Sequence, residues 1–496
     1  MIDVVIVGTG FSGVGMAIAL RRAGRDSFVV LERANDVGGT WRDNRYPGCA
    51  CDIPSMLYSF SFERKTDWTR AYPPQREIWK YLRTCVEKYG VTPHIRFNSE
   101  VAEARYDENA RAWNVTLRNG ETVVAGVLVL GMGGLSNPMI PDIPGLQTFT
   151  GDVFHSAAWD ESFEPAGKRV AVIGTGASAI QIVPAIAPAA AHLTLFQRTP
   201  PWIIPRFDKP TTANERWRRR FVPGYAWFVR QSMYWLREFR AFGFVRNTRL
   251  LALAQRFALR HMHAQVPRAD LRERLTPTYH MGCKRILLSD DYYPALCRDN
   301  VTLVTEPIRE VRARAIVTHD GAEHEVDAIV LATGFLAQAF ISPVQVYGRH
   351  GRSLEDTWAD GPRSYLGISA SGFPNLFFLV GPNTGLGHNS MVIMIEAQIA
   401  YVMSALRTMR SRGISELDLK PEVESTFTQT IARRTEHTVW ASGCKSWYLD
   451  ERGRNTTLWP GFTFTYRRLT RRLEPSRYNV KQAASLGCTG MQRGPA

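Results

Sequence analysis

The chain has 496 residues, 45% of them hydrophobic, and a formal net charge of +15. This length predicts roughly two to four domains, and no apolar run reaches the ~18 residues that a membrane-spanning helix needs. The segment from Arg206 to Arg285 carries 18 basic residues against 5 acidic ones, so it holds +13 of the total and favours an anionic partner. Nucleic acid is not the expected partner, because no nucleic-acid-binding module accompanies the charge.

The N-terminal stretch follows the order strand, glycine-rich turn, helix, strand. The strand VVIV ends at Gly8, an apolar helical stripe follows the turn, and the strand SFVVLE ends at Glu32. Such glycines let backbone N–H groups approach a pyrophosphate at the helix N-terminus, and the acid accepts hydrogen bonds from ribose hydroxyls. The residues predicted to form this dinucleotide site are Gly8, Gly10, Phe11, Ser12, Gly13, Glu32 and Arg33.

The same order recurs in KRVAVIGTGASA and LTLFQR. Because 24 positions separate Gly8 from Glu32 and also Gly174 from Arg198, the arginine stands where the first copy has its acid. An acid at this position suits a free 2′-hydroxyl, whereas an arginine suits a 2′-phosphate. The first site is therefore interpreted as an FAD or NAD site and the second as an NADP site. The second site is predicted to consist of Gly174, Thr175, Gly176, Ala177, Ser178, Ala179, Arg198 and Thr199.

These motifs predict an α/β fold with two nested Rossmann-like dinucleotide-binding domains. Residues 1–140 are assigned to the first part of the first domain, and residues 336–475 complete it. Residues 141–335 are assigned to the second domain, with a helical insert at about 210–276 that is rich in tryptophan and arginine. Residues 476–496 are expected to be a mobile tail, because they are small, polar and without periodicity.

Two long signatures make the sequence resemble the Baeyer–Villiger monooxygenases, which are FAD- and NADPH-dependent flavoproteins. TFTGDVFHSAAWD matches the family pattern F-x-G-x-x-x-H-x-x-x-W-[P/D] just before the second glycine turn, through Phe149, Gly151, His155, Trp159 and Asp160. GGTWRDNRYPGCACD matches a second signature through Gly38, Gly39, Trp41, Tyr46, Pro47, Gly48 and Asp52. GCKRILLSDDYY resembles the family's Lys-Arg segment, and ATGF is common to the wider superfamily, whereas Ala50 stands where many relatives carry arginine.

The resemblance implies that NADPH reduces FAD and that dioxygen, through a flavin peroxide, converts a ketone to an ester or lactone. Arg285 is the expected catalytic cation, since a guanidinium stays charged at any working pH, and Asp52 is the carboxylate expected to orient it. Lys284 is expected to point away from Arg285 and to join Arg198 on the 2′-phosphate. Further cofactor contacts are expected from Gly39, Thr40, Trp41, Asp52, Tyr58, Val101 and Asn383 for FAD and from Trp447 for NADP.

The fingerprint histidine, His155, is not expected to act as a general base. The resemblance instead implies that His155 and Trp159 couple the two domains while the cofactor moves. No metal site is predicted. The N-terminus enters a strand without a basic leader or a cleavage site, so a cytoplasmic protein is expected.

Two other functions stay open at this stage. A related flavin monooxygenase acting on sulfur or nitrogen would use both cofactors but normally lacks the W-[P/D] end of the fingerprint and the Lys-Arg segment. A non-catalytic flavoprotein that binds a membrane surface through the basic, aromatic insert is the remote alternative. The same insert could shape the substrate entrance, and the sequence leaves both monomer and dimer open.

Overall fold

Two sheets built around parallel strands organise the chain in the computed structural model, which describes residues 1–246, 249–443 and 446–483. In the first sheet, strand Ile2–Val7 lies between Phe28–Leu31 and Thr122–Leu130 and pairs in parallel with both. Residues 4–7 and 28–31 and the C-terminal half of Thr122–Leu130 are apolar runs buried on both faces, as expected where helices cover both sides of a parallel sheet. The other strands of this sheet are Ile95–Arg96, Val101–Asp107, Ala112–Leu117, Gln345–Tyr347 and Leu376–Phe378.

The second sheet is parallel throughout. Its strands lie in the spatial order Val301–Val304, His192–Phe196, Arg169–Ile173, Ala328–Leu331, Asp152–His155. Three smaller sheets pair Ile203–Ile204 with Leu287–Leu288, Ile308–Arg312 with Ala315–Thr318 and Glu323–Glu325, and Ile414–Leu419 with Tyr478–Gln482.

Helices pack on both sheets, and several of them form the long segment between strands His192–Phe196 and Val301–Val304 of the second sheet. Four of them, Ala213–Phe221, Tyr225–Val245, Arg249–Gln265 and Ala269–Leu275, lie where the helical insert was predicted. The other α-helices of the described residues are Phe11–Arg22, Thr40–Asp43, Gln75–Lys88, Ala179–Ile186, Tyr292–Leu296, Leu354–Thr357, Met391–Arg412, Pro421–Thr435 and Thr463–Leu469.

The chain returns to the first sheet after the second domain. Strand Leu376–Phe378 pairs in parallel with Thr122–Leu130, and helix Met391–Arg412 packs on Phe11–Arg22. Among the described residues this helix alone is long and apolar enough to cross a membrane, but 72% of its most apolar window is buried inside the protein. Its apolar surface therefore belongs to the core of the first domain.

The expectation of a mobile tail from residue 476 is wrong for the first part of that segment. Strand Tyr478–Gln482 pairs antiparallel with Ile414–Leu419, and Tyr478 is buried. The Tyr478 hydroxyl lies 3.0 Å from the Ser369 hydroxyl and 2.8 Å from the Tyr401 hydroxyl, so a buried hydrogen-bond network anchors the strand. Residues 484–496 lie outside the described residues.

Candidate active site

The first glycine turn joins strand Ile2–Val7 to helix Phe11–Arg22. Gly8 has a φ of 96°, and a Cβ on Gly13 would lie 1.8 Å from the Gly8 carbonyl oxygen, so neither position accepts a side chain without rearrangement. Gly10, the N-cap residue, has no side chain to cap the helix, and the first turn contains the uncharged residues Phe11, Ser12 and Gly13. The positive end of this helix is thus arranged to receive an anion.

Glu32 directly follows strand Phe28–Leu31, close to its predicted place at the strand end, and its buried carboxylate has a full set of donors. Its Oε2 accepts from the backbone N–H of Thr9 at 2.9 Å and from the Thr9 hydroxyl at 2.5 Å. Its Oε1 accepts from the backbone N–H of Ala34 at 3.0 Å and from Arg42 Nη1 at 2.9 Å. A carboxylate has about four acceptor sites, so a ribose hydroxyl would share Glu32 with these donors or displace one of them. Neighbouring Arg33 is exposed and donates to the Ser136 carbonyl.

Three aromatic residues connect this turn to the second signature. The Tyr58 ring lies edge-on to Phe11 at 5.2 Å and to Trp41 at 5.4 Å, and the Trp41 indole N–H donates to the Tyr58 hydroxyl at 3.1 Å. Gly39 precedes the short helix Thr40–Asp43 with a φ of 50°, and a Cβ there would lie 3.1 Å from the Gly10 Cα. The two predicted FAD-binding segments are therefore in direct contact.

The side chains of two other predicted FAD contacts, Val101 and Asn383, are engaged with other parts of the protein. The Val101 side chain is buried in the core cluster beneath the first sheet, together with Val5 and Leu31, so only its backbone could face a ligand. Asn383 has a φ of 58°, and its side-chain amide donates to the Asn455 carbonyl at 2.7 Å, bracing that turn. A direct contact of either side chain with FAD stays a prediction.

The second glycine turn repeats the first. Gly174 has a φ of 109°, and a Cβ there would lie 2.5 Å from the Ala332 carbonyl oxygen, whereas a Cβ on Gly176 would meet open space. Ala177 is exposed, Ser178 is the N-cap residue, and helix Ala179–Ile186 begins with a buried alanine where a third glycine could stand.

Arg198 follows strand His192–Phe196, is exposed, and is near enough to Lys284 for its charge to act there. Burial lowers the pKa of Lys284, and the charge of Arg198 lowers it further. The Lys284 ammonium also lies 4.9 Å from the centroid of the Tyr279 ring. Two cations held close together suit an anionic group that neutralises both, such as the predicted 2′-phosphate. Thr199 offers its carbonyl to the Thr175 hydroxyl at 2.9 Å, which holds the turn beside this pair.

Asp52 and Arg285, 233 positions apart in the chain, form an ion pair. Arg285 Nε and Nη2 both donate to Asp52 Oδ2, at 2.8 and 2.5 Å, and the side chains of Arg285 and Asp52 are 30% and 26% exposed. Burial raises the pKa of Asp52, but the charge and hydrogen bonds of Arg285 outweigh it and hold that pKa below its usual value. The charge of Asp52 in turn raises the pKa of Arg285. Both groups are therefore ionised at neutral pH.

A second guanidinium adds positive charge at this pair. Arg237, on helix Tyr225–Val245, is buried and donates to the His388 carbonyl at 3.4 Å, and its charge also lowers the pKa of Asp52. Burial lowers the pKa of Arg237, although a guanidinium still carries its charge at neutral pH. Two cations around one carboxylate leave net positive charge, which is what stabilisation of a developing oxyanion requires.

Tyr448, from the C-terminal part of the chain, lies near Arg285. It is buried, and burial raises the pKa of its hydroxyl to about 12 while the nearby charge of Arg285 opposes the shift. Trp447, predicted near the nicotinamide, is 43% exposed and packs against Tyr448 with ring centroids 4.4 Å apart. Trp447 thus flanks the site next to Tyr448, whose pKa the charge of Arg285 lowers.

The second signature also joins the two domains. The Tyr46 hydroxyl donates to Gln181 Oε1 at 3.1 Å, and Gln181 Nε2 donates to the Ala50 carbonyl at 3.0 Å. A Cβ on Gly48 would lie 2.8 Å from the Gln181 carbonyl oxygen, so glycine permits this close approach. The loop that carries Asp52 is therefore fixed on the first helix of the second domain.

The fingerprint residues lie in and on either side of the edge strand of the second sheet, Asp152–His155. His155 ends strand Asp152–His155 opposite Leu331, is buried, and lies edge-on to Phe335 at 5.6 Å. Burial lowers the pKa of His155, and its Nδ1 accepts from the backbone N–H of Ala157 at 3.1 Å. This environment favours a neutral imidazole, consistent with the expectation that His155 is not a general base.

The remaining fingerprint positions have local packing roles. A Cβ on Gly151 would lie 2.2 Å from the Asp327 carbonyl oxygen and 2.6 Å from the Phe149 ring, so this backbone approach requires glycine. Trp159 lies edge-on to Phe154 at 4.8 Å, and Asp160 Oδ1 accepts from the Ser162 N–H and hydroxyl at 2.8 and 2.6 Å. The proposed coupling of domains by His155 and Trp159 stays a prediction.

Several important residues were missed in the sequence. Arg42 lies inside the matched segment TWRD and could have been found as the partner of Glu32. Gln181 lies in the first turns of the second glycine-motif helix but carries no recognisable pattern. Arg237 belongs to the insert, where many arginines follow one another and only tertiary structure separates a buried one from exposed ones.

The residues present fit two dinucleotides of different charge. The first turn combines an uncapped helix N-terminus with Glu32, a carboxylate suited to ribose hydroxyls. The second combines a glycine turn with the Arg198–Lys284 cations, which suit an additional phosphate. The Asp52–Arg285 pair joins the loop of the first domain to the segment that also carries Lys284.

Comparisons with known proteins agree with this arrangement. A family model described as flavin-binding monooxygenase-like matches residues 2–343. The chain is 50% identical over 479 residues to a Baeyer–Villiger monooxygenase of Pseudomonas aeruginosa, covering 96% of this chain and 91% of that protein. An oxidized steroid monooxygenase bound to NADP superposes with a TM-score of 0.88 at 32% identity, covering 97% of this chain and 99% of that one. An OTEMO complex with FAD and NADP superposes with a TM-score of 0.87 at 30% identity and the same coverage.

Proposed function

Because the chain belongs to the Baeyer–Villiger monooxygenases of the flavin-binding monooxygenase-like family, we propose that Arg285 and Asp52 are its catalytic pair. The enzyme uses FAD and NADPH, as the predicted pair of dinucleotide sites implied. We further propose that its substrate is a small-molecule ketone, oxidised by dioxygen in the cytoplasm to an ester or lactone. The observation that carries the proposal is the ion pair of Arg285 with a carboxylate from the other domain.

When bound, FAD and NADPH supply the hydride and the activation of dioxygen. The chain binds their phosphates at its two glycine turns, while Arg198 and Lys284 distinguish the phosphorylated dinucleotide by charge. Arg285 stabilises the negative charge that develops on the carbonyl oxygen of the ketone during oxygen insertion. Asp52 holds Nε and Nη2 of that guanidinium and thereby fixes its orientation, while Arg237 keeps the site net positive.

The proposal is tested by Arg285→Ala in the FAD-loaded enzyme. The variant should still oxidise NADPH and reduce its flavin, but ester formation should fall by about 10²–10³-fold or more, the usual cost of losing an oxyanion-stabilising group. Arg298→Ala is the matched control, because this exposed arginine sits in the same domain with Asn300 as its partner. Undiminished ester formation by Arg285→Ala would contradict the assignment.

A product screen by mass spectrometry separates ketone oxidation from the alternative of sulfur or nitrogen oxidation. Linear, cyclic and aryl ketones are incubated with NADPH and dioxygen beside a thioether and a tertiary amine. We expect esters or lactones as the main products. If only the sulfoxide or the N-oxide formed, the ketone assignment would be wrong and the alternative would stand.

A further inference from the structure

Helix Tyr225–Val245 buries three charged residues, Arg230, Arg237 and Glu238, and exposes a row of aromatic residues. Phe228, Trp235, Phe239 and Phe242 recur at helical spacing, and they are 64%, 56%, 73% and 40% exposed. A helix on the surface of a globular protein normally presents the reverse arrangement, with the apolar stripe towards the core. This outward stripe therefore requires an explanation other than core packing.

The buried face of the same helix explains why it cannot simply rotate. Arg230 donates to the Met56 carbonyl at 2.7 Å and to the Ser59 carbonyl at 3.1 Å. Glu238 accepts from the Thr463 hydroxyl at 2.7 Å and from the Thr463 backbone N–H at 3.0 Å. Breaking these buried polar contacts would leave charges unpaired in the interior, so the aromatic stripe is held outward.

A second helix extends the stripe into a wider surface. Phe464, on helix Thr463–Leu469, is 43% exposed, its ring lies 6.1 Å from Trp235, and it stacks on Phe462 at 5.1 Å. We name the set Phe228, Trp235, Phe239, Phe242 and Phe464 the aromatic face. Two elements far apart in sequence thus contribute to one exposed apolar surface.

Basic side chains accompany the aromatic face on both helices. Arg240, on helix Tyr225–Val245, and Arg246, its C-cap residue, are exposed, and so are Arg467 and Arg468 on helix Thr463–Leu469. Glu238, the acidic residue of helix Tyr225–Val245, is buried and accepts a hydrogen bond from Thr463, so it does not offset the positive charge of the surface. Aromatic rings with arginines around them are the composition of surfaces that lie in the interface of an anionic bilayer.

We propose that the aromatic face binds the surface of an anionic lipid bilayer, with its rings in the interfacial layer and its arginines on the headgroups. A second copy of the chain is the less suitable occupant, because a symmetric contact would place the arginines of both copies together. The opposite side of the same helix carries Arg237, whose charge acts on Asp52, so bilayer and catalytic pair lie on opposite sides of one helix. The proposal does not depend on which substrate the enzyme oxidises.

The test is co-sedimentation of the full-length, FAD-loaded enzyme with vesicles of phosphatidylcholine containing about 30% phosphatidylserine, compared with pure phosphatidylcholine. Wild type should bind the anionic vesicles more strongly, and Trp235→Ser/Phe239→Ser should weaken that binding by roughly tenfold or more because two rings no longer enter the interface. Leu135→Ser/Val480→Ser is the matched control, since both residues are exposed (44% and 43%) and lie outside the aromatic face.

A charge-reversal variant separates the contribution of the arginines from that of the aromatic rings. Arg467→Glu/Arg468→Glu should lose the preference for phosphatidylserine while keeping the weaker binding to phosphatidylcholine. Equal binding of wild type and Trp235→Ser/Phe239→Ser, or no binding of wild type, would overturn the proposal. So would a wild-type dimer in sedimentation that the serine variant converts to monomer, because a second copy would then cover the face.

The same samples also test membrane binding and ketone oxidation independently of each other. The aromatic-face variants should oxidise a water-soluble ketone as wild type does, because none of the substituted residues belongs to the catalytic pair. Failure of wild type to oxidise any ketone, together with intact vesicle binding, would contradict the reaction and leave the surface standing. Intact ketone oxidation without vesicle binding would do the opposite.

Discussion

Two arginine–carboxylate pairs differ in burial and, we infer, in task. Arg42 and Glu32 have side chains only 6% and 5% exposed, and every oxygen of Glu32 already has donors. Arg285 and Asp52 are about one-third and one-quarter exposed, and the guanidinium directs only Nε and Nη2 at the carboxylate. The first pair is arranged to fix a strand end, and the second leaves part of the guanidinium beside the space where a substrate oxygen would lie.

Arg198→Ala should change the choice of reductant. The ratio kcat/KM for NADPH should fall roughly 10–100-fold, because a charge-assisted contact with the 2′-phosphate is lost, while the value for NADH changes little. Steady-state NADPH and NADH oxidation with a saturating ketone measures both. Lys168→Ala is the control, since it removes one positive charge from the same domain where Lys168 pairs with Asp152. An equal fall with both nucleotides would show that Arg198 does not read the phosphate.

At the scale of elements, the equal spacing of Gly8 to Glu32 and of Gly174 to Arg198 identified both strand–turn–helix units. The prediction succeeded because glycine turns and buried strands leave local patterns in the sequence. The strands end at Leu31 and Phe196, one and two residues before the predicted residues. The tail strand Tyr478–Gln482 was missed because its five residues gain their order from Tyr401 and Ser369, which lie far away in sequence. The buried charged residues of helix Tyr225–Val245 were not predicted for the same reason, because their partners also lie far away in sequence.

Gly13→Ala should abolish FAD binding, whereas Gly176→Ala, in the other glycine turn, should leave the flavin content unchanged. The new Cβ at position 13 would lie 1.8 Å from the Gly8 carbonyl oxygen, so the turn must open, whereas the one at position 176 would meet open space. The ratio of flavin absorbance to protein in purified samples measures the difference. Normal flavin content in a folded Gly13→Ala protein would refute the role assigned to this close approach.

Glu424, in the first turn of helix Pro421–Thr435, makes the free energy of unfolding depend on pH. Glu424 is buried at a cavity of about 400 Å³, accepts from the Ser371 N–H at 3.3 Å, and has a pKa raised by burial to about 7. Since the folded chain keeps a proton that the unfolded chain releases near pH 4.5, the free energy of unfolding falls as pH rises from 4.5 to 7.

Glu424→Gln should therefore remove that slope. At pH 8 the variant should gain about 1–3 kcal/mol in free energy of unfolding over wild type, and near pH 4.5 the two should be alike. Urea denaturation at both pH values measures the difference. Glu422→Gln, an exposed acid in the same turn, is the control and should change neither value. A gain that is equal at both pH values would contradict the titration of Glu424.

At the scale of the whole molecule, the catalytic pair depends on how the two domains meet. Asp52 comes from a loop of the first domain and Arg285 from the segment of the second domain that follows the insert, and Gln181 fixes that loop through Tyr46 and Ala50. The sequence indicated the pair only through its resemblance to a family, because no periodicity relates positions 233 residues apart. Gln181 could not be foreseen, since a glutamine on a helix becomes a domain contact only when the other domain is in place.

Gln181→Ala should separate cofactor binding from oxygen insertion. Without the side-chain amide, Tyr46 and Ala50 lose their partner on the second domain, and Asp52 is no longer held at a fixed distance from Arg285. Displacement of a catalytic group by about 1 Å can cost about 10²-fold, so we expect ester formation to fall by about 10- to 100-fold while flavin content and NADPH oxidation persist. The measurement is ester formed per NADPH consumed, with Gln429→Ala, an exposed glutamine whose amide contacts Ser425, as the control. If this ratio equalled that of wild type, the contact at Gln181 would be dispensable and the ion pair would be positioned by its own attraction.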